Sequence, residues 1–198
     1  VRFDFAVRVA ALAALSLIAS CSLAPRREPT VAGRPTVERF ELAGRIAVRY
    51  DGDGYTGSLR WRHADGRDRL ELYAPTGTVF ARLSRGPDGA SLQMSDGKHY
   101  HEADASALSR SVLGWELPLE ELRHWVFARP APGSRPTRFD LGAEGRPALL
   151  EQDGWRVSYL AYSTVGSDVL PARMDLEHAG VKVRLIVARW SDGGEDTQ

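Results

Sequence analysis

The chain has 198 residues, 26 basic and 26 acidic side chains and 43% apolar residues, which is room for one domain of ordinary size with a real core. Setting residues 1–20 aside leaves 24 basic side chains against 25 acidic ones, a balance that argues against a nucleic-acid binder, whose affinity rests on a basic face. One cysteine in the whole chain excludes a fold stapled by internal disulfides.

The chain opens with Arg2 and Arg8 and an apolar run from Val9 to Ala19, the length of a signal-peptide core and too short for an ordinary membrane span. Ile18, then the small residues Ala19 and Ser20, lead into Cys21, and Leu17-Ile18-Ala19-Ser20-Cys21 resembles a bacterial lipobox. That resemblance implies that the Cys21 thiol receives a diacylglycerol, that the segment before it is removed and that the new amino terminus is acylated. By the sorting rule of such lipoproteins, Ser22 in place of an aspartate points to the outer membrane. Residues 1–20 are therefore expected to be a lipoprotein signal peptide. Residues 21–37 are expected to be the lipidated start of the mature chain and a flexible tether, because Pro25, Pro29 and Pro35 cannot continue a helix. A single domain is expected over residues 38–191 and a polar tail over residues 192–198.

From Arg39 onward the pattern has period two, the signature of half-buried strands. Leu42, Gly44, Ile46, Val48 and Tyr50 share one face, with Ala43, Arg45, Ala47 and Arg49 on the other. Asp51-Gly52-Asp53-Gly54 reads as a turn, and the next strand sets Gly57, Leu59, Trp61 and His63 against Ser58, Arg60 and Arg62. Asp65-Gly66 closes a second hairpin, and Leu70 and Leu72 alternate with Arg69, Glu71 and Tyr73 up to a break at Ala74-Pro75-Thr76-Gly77. Val79, Ala81 and Leu83 then oppose Phe80 and Arg82, and Gly86-Pro87-Asp88-Gly89 turns the chain. Leu92 and Met94 carry the next strand into Ser95-Asp96-Gly97-Lys98, a tight-hairpin signal. Arginine recurs on the second face of several of these strands, which predicts a sheet wetted on one side.

The period then becomes helical. Asp104 is placed as an N-cap, Ala105, Leu108 and Val112 fall on one face, and Gly114 is placed to stop the helix. A second helix follows, with Pro118 at its start, Glu120 and Glu121 complementing its positive end and Leu119, Leu122, Trp125 and Val126 as an apolar stripe. Both must lay their apolar faces on the sheet, as a lid or plug. Residues Ala128 to Arg138 read as a loop, and strands resume with turns at Asp153-Gly154 and Ala179-Gly180. About ten or eleven antiparallel strands with two helices make a mainly β fold, a sheet that curls into a barrel or, where helices block closure, a half-closed one.

Catalytic motifs do not emerge: the chain carries no phosphate loop, dinucleotide fingerprint, nucleophile elbow or metalloprotease helix, and no cofactor is expected. His99 and His101 share a strand face, but no third ligand stands at a compatible spacing, so no metal site is expected. Glu120 and Glu121 are adjacent on a helix and diverge by about 100 degrees, unsuited to paired acid and base work. Five tryptophans, Trp61, Trp115, Trp125, Trp155 and Trp190, fit core packing singly; as a set they also suit a cavity for something long and greasy.

An ordered series of segments then carries a resemblance. Phe40 to Val48, the strand around Trp61, the Pro75-Thr76-Gly77 break, Leu113-Gly114-Trp115-Glu116-Leu117-Pro118, Leu122-Arg123-His124-Trp125, Gln152-Asp153-Gly154-Trp155 with Tyr159, and Leu170-Pro171 together resemble the outer-membrane lipoprotein receptor family LolB over nearly the whole mature domain. The resemblance implies an open antiparallel half barrel with helices over its concave mouth. It implies no enzyme but a monomeric receptor, lipid-anchored in the outer membrane and facing the periplasm. Such a receptor takes acylated lipoprotein cargo from the periplasmic carrier LolA and places it in the inner leaflet of that membrane.

Alternation suggests Leu59, Trp61, Leu70, Leu72, Leu83, Leu92, Trp115, Leu122, Trp125, Trp155, Tyr159, Leu176 and Leu185 as the acyl-chain lining. Relatives carry a membrane-delivering leucine between the proline and glycine of the break, where this chain has Thr76, so the apolar contact is expected either at Val79 or Phe80 or from the anchor. A lipid-anchored assembly protein, with a filled barrel, is the alternative from another class. An envelope hydrolase would need a converging nucleophile and base that the sequence does not offer.

Overall fold

The computed structural model describes residues 35–193, which fall within one compact unit. The readings for Cys21, the signal peptide, most of the tether and residues 194–198 lie outside the described residues. Pro35 and Val37 are buried, so packed chain begins before residue 38.

Eleven strands form one antiparallel sheet. In chain order they are β1 (Arg39–Tyr50), β2 (Asp53–Ala64), β3 (Arg67–Tyr73), β4 (Val79–Gly86), β5 (Gly89–Met94) and β6 (His99–Glu102), then β7 (Arg138–Leu141), β8 (Pro147–Gln152), β9 (Trp155–Val165), β10 (Asp168–His178) and β11 (Val181–Ser191). Helices α1 (Ala105–Leu113) and α2 (Leu119–Trp125) interrupt the strands between β6 and β7. The spatial order is β6-β5-β4-β3-β2-β1-β11-β10-β9-β8-β7, so β6 and β7 are the two edges and the sheet stays open. Among the described residues no helix is long and apolar enough to cross a membrane.

The turns explain why so many strands pair in order. Asp51-Gly52, Asp65-Gly66, Asp153-Gly154 and Ala179-Gly180 each have positive φ at both residues, the primed geometry whose twist matches that of the flanking strands. The first turn is shorter than expected, because Asp53 pairs with Tyr50 and already belongs to β2. Gly86-Pro87-Asp88-Gly89 bridges β4 to β5 with its proline in the second position of the turn.

One end of the inner face is filled. Phe40 is fully buried, with Trp61, Phe127 and Trp190 rings at 5.0, 5.3 and 6.0 Å and His63 stacked at 5.7 Å. The chain after α2 closes over this end: Val126, Phe127, Ala128 and Ala131 are all buried. Among the described residues the buried apolar cluster runs from Val37 to Trp190.

Register shifts adjust the faces, among them those in the β3–β4 and β1–β11 ladders. In β4, Leu72 pairs with Ala81 and Tyr73 with Val79, leaving Phe80 unpaired. The extra residue reverses the alternation at that point, so Phe80, expected on the wetted face, stacks on Tyr55 at 5.2 Å instead. In the β1–β11 ladder the register shifts between Ala43 and Gly44, and a Cβ on Gly44 would stand 2.0 Å from the Ile186 carbonyl oxygen. Gly44→Ala must push two central strands apart at backbone. It is expected to destabilise the domain by roughly 2–4 kcal/mol in urea unfolding.

Candidate functional site

The other end of the inner face is not filled. Between the sheet and the two helices lies an apolar cavity of about 560 Å³, in the size range of sites for small apolar ligands. Its floor comes from adjacent strands: Leu59 and Trp61 of β2, Leu70 and Leu72 of β3, Ile46 and Val48 of β1, and Val183 and Leu185 of β11 with Leu176 of β10. Its roof comes from Val112 and Leu113 at the end of α1, Trp115 and Leu117 in the connection, and Leu122 of α2. Tyr50, Tyr55 and Phe80 stand at its mouth, beside the β1–β2 turn.

Local chemistry sets the roof. The Asp104 side chain accepts from the Ala107 N–H at 2.7 Å, and Gly114 at φ 78° ends α1 with its N–H on the Arg110 carbonyl. Pro118 stands at the N-cap of α2, one place earlier than a first-turn residue. The connection is stapled back onto α1, because buried Ser109 accepts from the Leu117 N–H at 2.7 Å through its hydroxyl oxygen. This staple points Trp115 and Leu117 inward, and nothing in the periodicity of the chain announces it.

A buried polar ring pins α2 to the sheet. The Asp68 carboxylate, fully buried, accepts from Trp61 Nε1–H at 2.8 Å and lies 2.8 Å from His63 Nδ1 and 3.2 Å from Arg85 Nε. Arg85 also pairs with Glu120 of α2, whose carboxylate lies 3.3 Å from Arg123, and Arg123 reaches His63 Nε2 at 3.5 Å. Both imidazole nitrogens of His63 are thereby engaged. The His63–Asp68 pair serves to hold a helix, and Glu120 works as an ion-pair partner. Its cost in desolvation is repaid by geometry: an ion pair of this kind fixes where α2 lies more than it adds stability.

A second clamp holds the end of α2. Gln152 is 1% exposed, accepts from Trp125 Nε1–H at 2.9 Å and the Ala131 N–H at 2.8 Å, and donates to the Ala131 and Ser134 carbonyls. Tyr159 donates to the Trp125 carbonyl at 2.9 Å, and burial pushes its phenol well above the usual range. Of the thirteen lining positions read from alternation, Leu59, Trp61, Leu70, Leu72, Trp115, Leu122, Trp155, Leu176 and Leu185 meet at the cavity. The structure sets the other four elsewhere. Trp125 and Tyr159 belong to the clamp, and Leu83 and Leu92 pair with each other on the part of the sheet where α1 packs. Alternation told their face correctly but not which element covers it. Ile46, Val48, Val112, Leu117 and Val183 were missed, although Ile46 and Val48 sat on the face already read as apolar.

Pro75, Thr76 and Gly77 form an exposed turn, closed by Gly77 N–H on the Ala74 carbonyl at 2.8 Å, with the Thr76 and Thr78 hydroxyls 3.0 Å apart. Its tip is polar and bonded to itself. The exposed apolar side chains at the mouth are Phe80 and Leu113. His99 and His101 stand on β6 opposite Gln93 and Ser91.

The family model for the outer membrane lipoprotein LolB matches residues 38–190. The outer-membrane lipoprotein LolB of Azoarcus sp. strain BH72 is 37% identical over 186 residues, covering 94% of this chain and 95% of its own length. That of Thiobacillus denitrificans is 36% identical over 156 residues, 79% of this chain and 82% of its own. Among solved structures, a DUF1329 family protein from Desulfovibrio piger superposes with a TM-score of 0.51 at 8% identity, covering 80% of this chain and 88% of its own, a likeness of fold alone.

His124, in the last turn of α2, supplies a pH test of the roof. Burial, and then the Arg123 guanidinium, hold its imidazole below the usual range, with Arg129 and His63 acting the same way and Glu38 opposing. The unfolded chain therefore takes up this proton first. Stability is full above the ordinary value of 6.5 and declines as pH falls below it toward the folded value. Urea midpoints measured from about pH 8 to about pH 5 should fall across that window and should fall less in His124→Gln.

Proposed function

The chain belongs to the outer-membrane lipoprotein LolB family, and from that membership we propose that it is a receptor, anchored in the outer membrane through acylated Cys21 and facing the periplasm. It accepts acylated lipoproteins from a LolA-type periplasmic carrier and sets them into the inner leaflet. The observation that carries this reading is the 560 Å³ apolar cavity, roofed by two short helices and open at its mouth. An assembly protein that only docks partners would fill that space.

The energetics support transfer without bond chemistry. Each methylene leaving water gains about 0.8 kcal/mol, so an acyl chain of about sixteen carbons gains on the order of 10 kcal/mol in an apolar site. Free diffusion of the cargo is forbidden, and hand-over must bring one apolar site against another. With differential affinity as the only driving force, the chain moves from the weaker site to the stronger and then to the bilayer. Trp115 and Leu117 enter the wall from the connection between two short helices rather than from a strand. They are the natural place for the cavity to widen.

Residues 22–198 without the lipid should strip an acylated lipoprotein from the carrier. A folded domain that binds neither acyl chains nor cargo overturns the reading. Leu72→Glu places a carboxylate in the half-buried cavity wall; uptake should drop at least about tenfold while the unfolding midpoint changes little. Delivery to the bilayer is assigned to Phe80 at the mouth, since the Pro75-Thr76-Gly77 tip is polar. In cells depleted of their own receptor, Thr76→Glu should deliver lipoproteins normally and Phe80→Glu should not; the opposite pattern returns the contact to the loop tip.

A further inference from the structure

The outer face of the sheet is divided in its charge. Over β7 to β11 the acids are answered: Asp140 by Arg138 at 2.7 Å, Glu151 by Arg156 at 2.6 Å, Asp175 by Arg184 at 2.7 Å and Glu177 by Lys182 at 3.7 Å. Over β2 to β6 the balance is lost. Arg62 lies across from Arg69 on one side, a like-charge juxtaposition that costs stability in a sheet, and on the other from Glu41, whose carboxylate pairs with Arg60 at 3.5 Å. Among the described residues no ion pair joins Arg62, Arg67 or Arg69 to a carboxylate.

The ladder continues the row. Arg69 lies across from Ser84, Ser84 from Ser91 and Ser91 from His101. Five side chains on five neighbouring strands thus present guanidinium, hydroxyl and imidazole groups with no carboxylate among them. At about 4.8 Å per strand the row runs for roughly 19 Å. All five border one groove of about 580 Å³, with Arg67 at its edge. Two of its acids are occupied, Asp65 by Arg39 at 3.1 Å and Asp68 inside the buried ring, while the third, Asp88, stands in the β4–β5 turn away from the row.

We propose that this row is a docking surface for the phosphates of anionic phospholipid headgroups. The chemistry fits, since guanidinium forks match phosphate oxygens two at a time and hydroxyls complete the set. The place in the chain fits as well. Arg39, which holds Asp65 at the groove, follows Pro35 closely, and Cys21 is fourteen residues before Pro35. At no more than about 3.5 Å per residue, an acyl anchor there keeps this end of the domain within roughly 50 Å of the leaflet. The cavity mouth lies at the far ends of β2 and β3, so docking through the groove holds the mouth clear of the leaflet to meet the carrier, and contact of Phe80 with the bilayer follows once the groove lets go.

This inference rests on the membrane-anchored reading above but fails separately from it. Residues 22–198, which contain all of the described core, are sedimented with vesicles of phosphatidylcholine alone and of phosphatidylcholine with phosphatidylglycerol. Binding should appear on the anionic vesicles and fade with added salt. R62Q/R69Q should weaken it by roughly twenty-five-fold, a factor of about five per arginine, while R156Q/R184Q, taken from the paired half, should not. Equal binding to both vesicle types overturns the proposal, as does an equal loss in R156Q/R184Q. Displacement by millimolar inorganic phosphate also overturns it, by making the groove a site for the free anion. If R62Q/R69Q does not fold, the salt titration of the unaltered domain decides. Neither arginine lines the cavity, so R62Q/R69Q should still take up acyl chains, and a domain that takes up cargo yet ignores phosphatidylglycerol sinks the docking row alone.

Discussion

An antiparallel sheet that does not close must cover its inner face with something else, and among the described residues there are two α-helices, of nine and seven residues, for an eleven-stranded sheet. That shortage governs the rest of the structure. Aromatic rings around Phe40 and the segment after α2 fill one end. The helices span the other without filling it. What remains is apolar on floor and roof because both faces were patterned to meet each other. The cavity is therefore a consequence of the same burial that stabilises the domain, stopped short of completion.

Keeping such a space open needs a roof that neither collapses nor leaves. A helix of seven residues is too short to be stable alone, so α2 takes its position from contacts. The Asp68–Arg85–Glu120–Arg123–His63 ring holds it from the β2–β4 side, and Gln152 with Tyr159 holds its end from β8 and β9. Both devices are polar and directional, and a polar contact fixes distance where apolar packing would draw the surfaces together. Their placement at the filled end leaves Trp115 and Leu117 to be held by α1, through the Ser109 staple and the Arg110–Glu116 pair, beside the space a proposed ligand would enter.

Much of the architecture was legible in the sequence. Asp-Gly and Ala-Gly pairs marked four primed turns, Asp104 and Gly114 bounded α1, and period-two alternation separated the faces of β1, β2, β3 and β9. Phe80 was misplaced because a single bulge reverses alternation and has no signature in side-chain type. Trp125, Tyr159, Leu83 and Leu92 were assigned to a cavity they do not line. Inward direction is a local property, whereas depth depends on which element lies above.

Turn type, the apolar face and the arginine-bearing face are set by neighbouring residues along the chain, and the sequence by itself determined them. Pairing between Glu41 and Ser191, 150 positions apart in β1 and β11, follows only once the sheet folds back on itself. The same is true of three decisions that matter for function: which end of the inner face is filled, which roof residues reach the cavity, and which outer arginines find carboxylates. Each depends on distances between strands remote in sequence. Periodicity carries no information about such distances, and a space is defined by atoms that are not there.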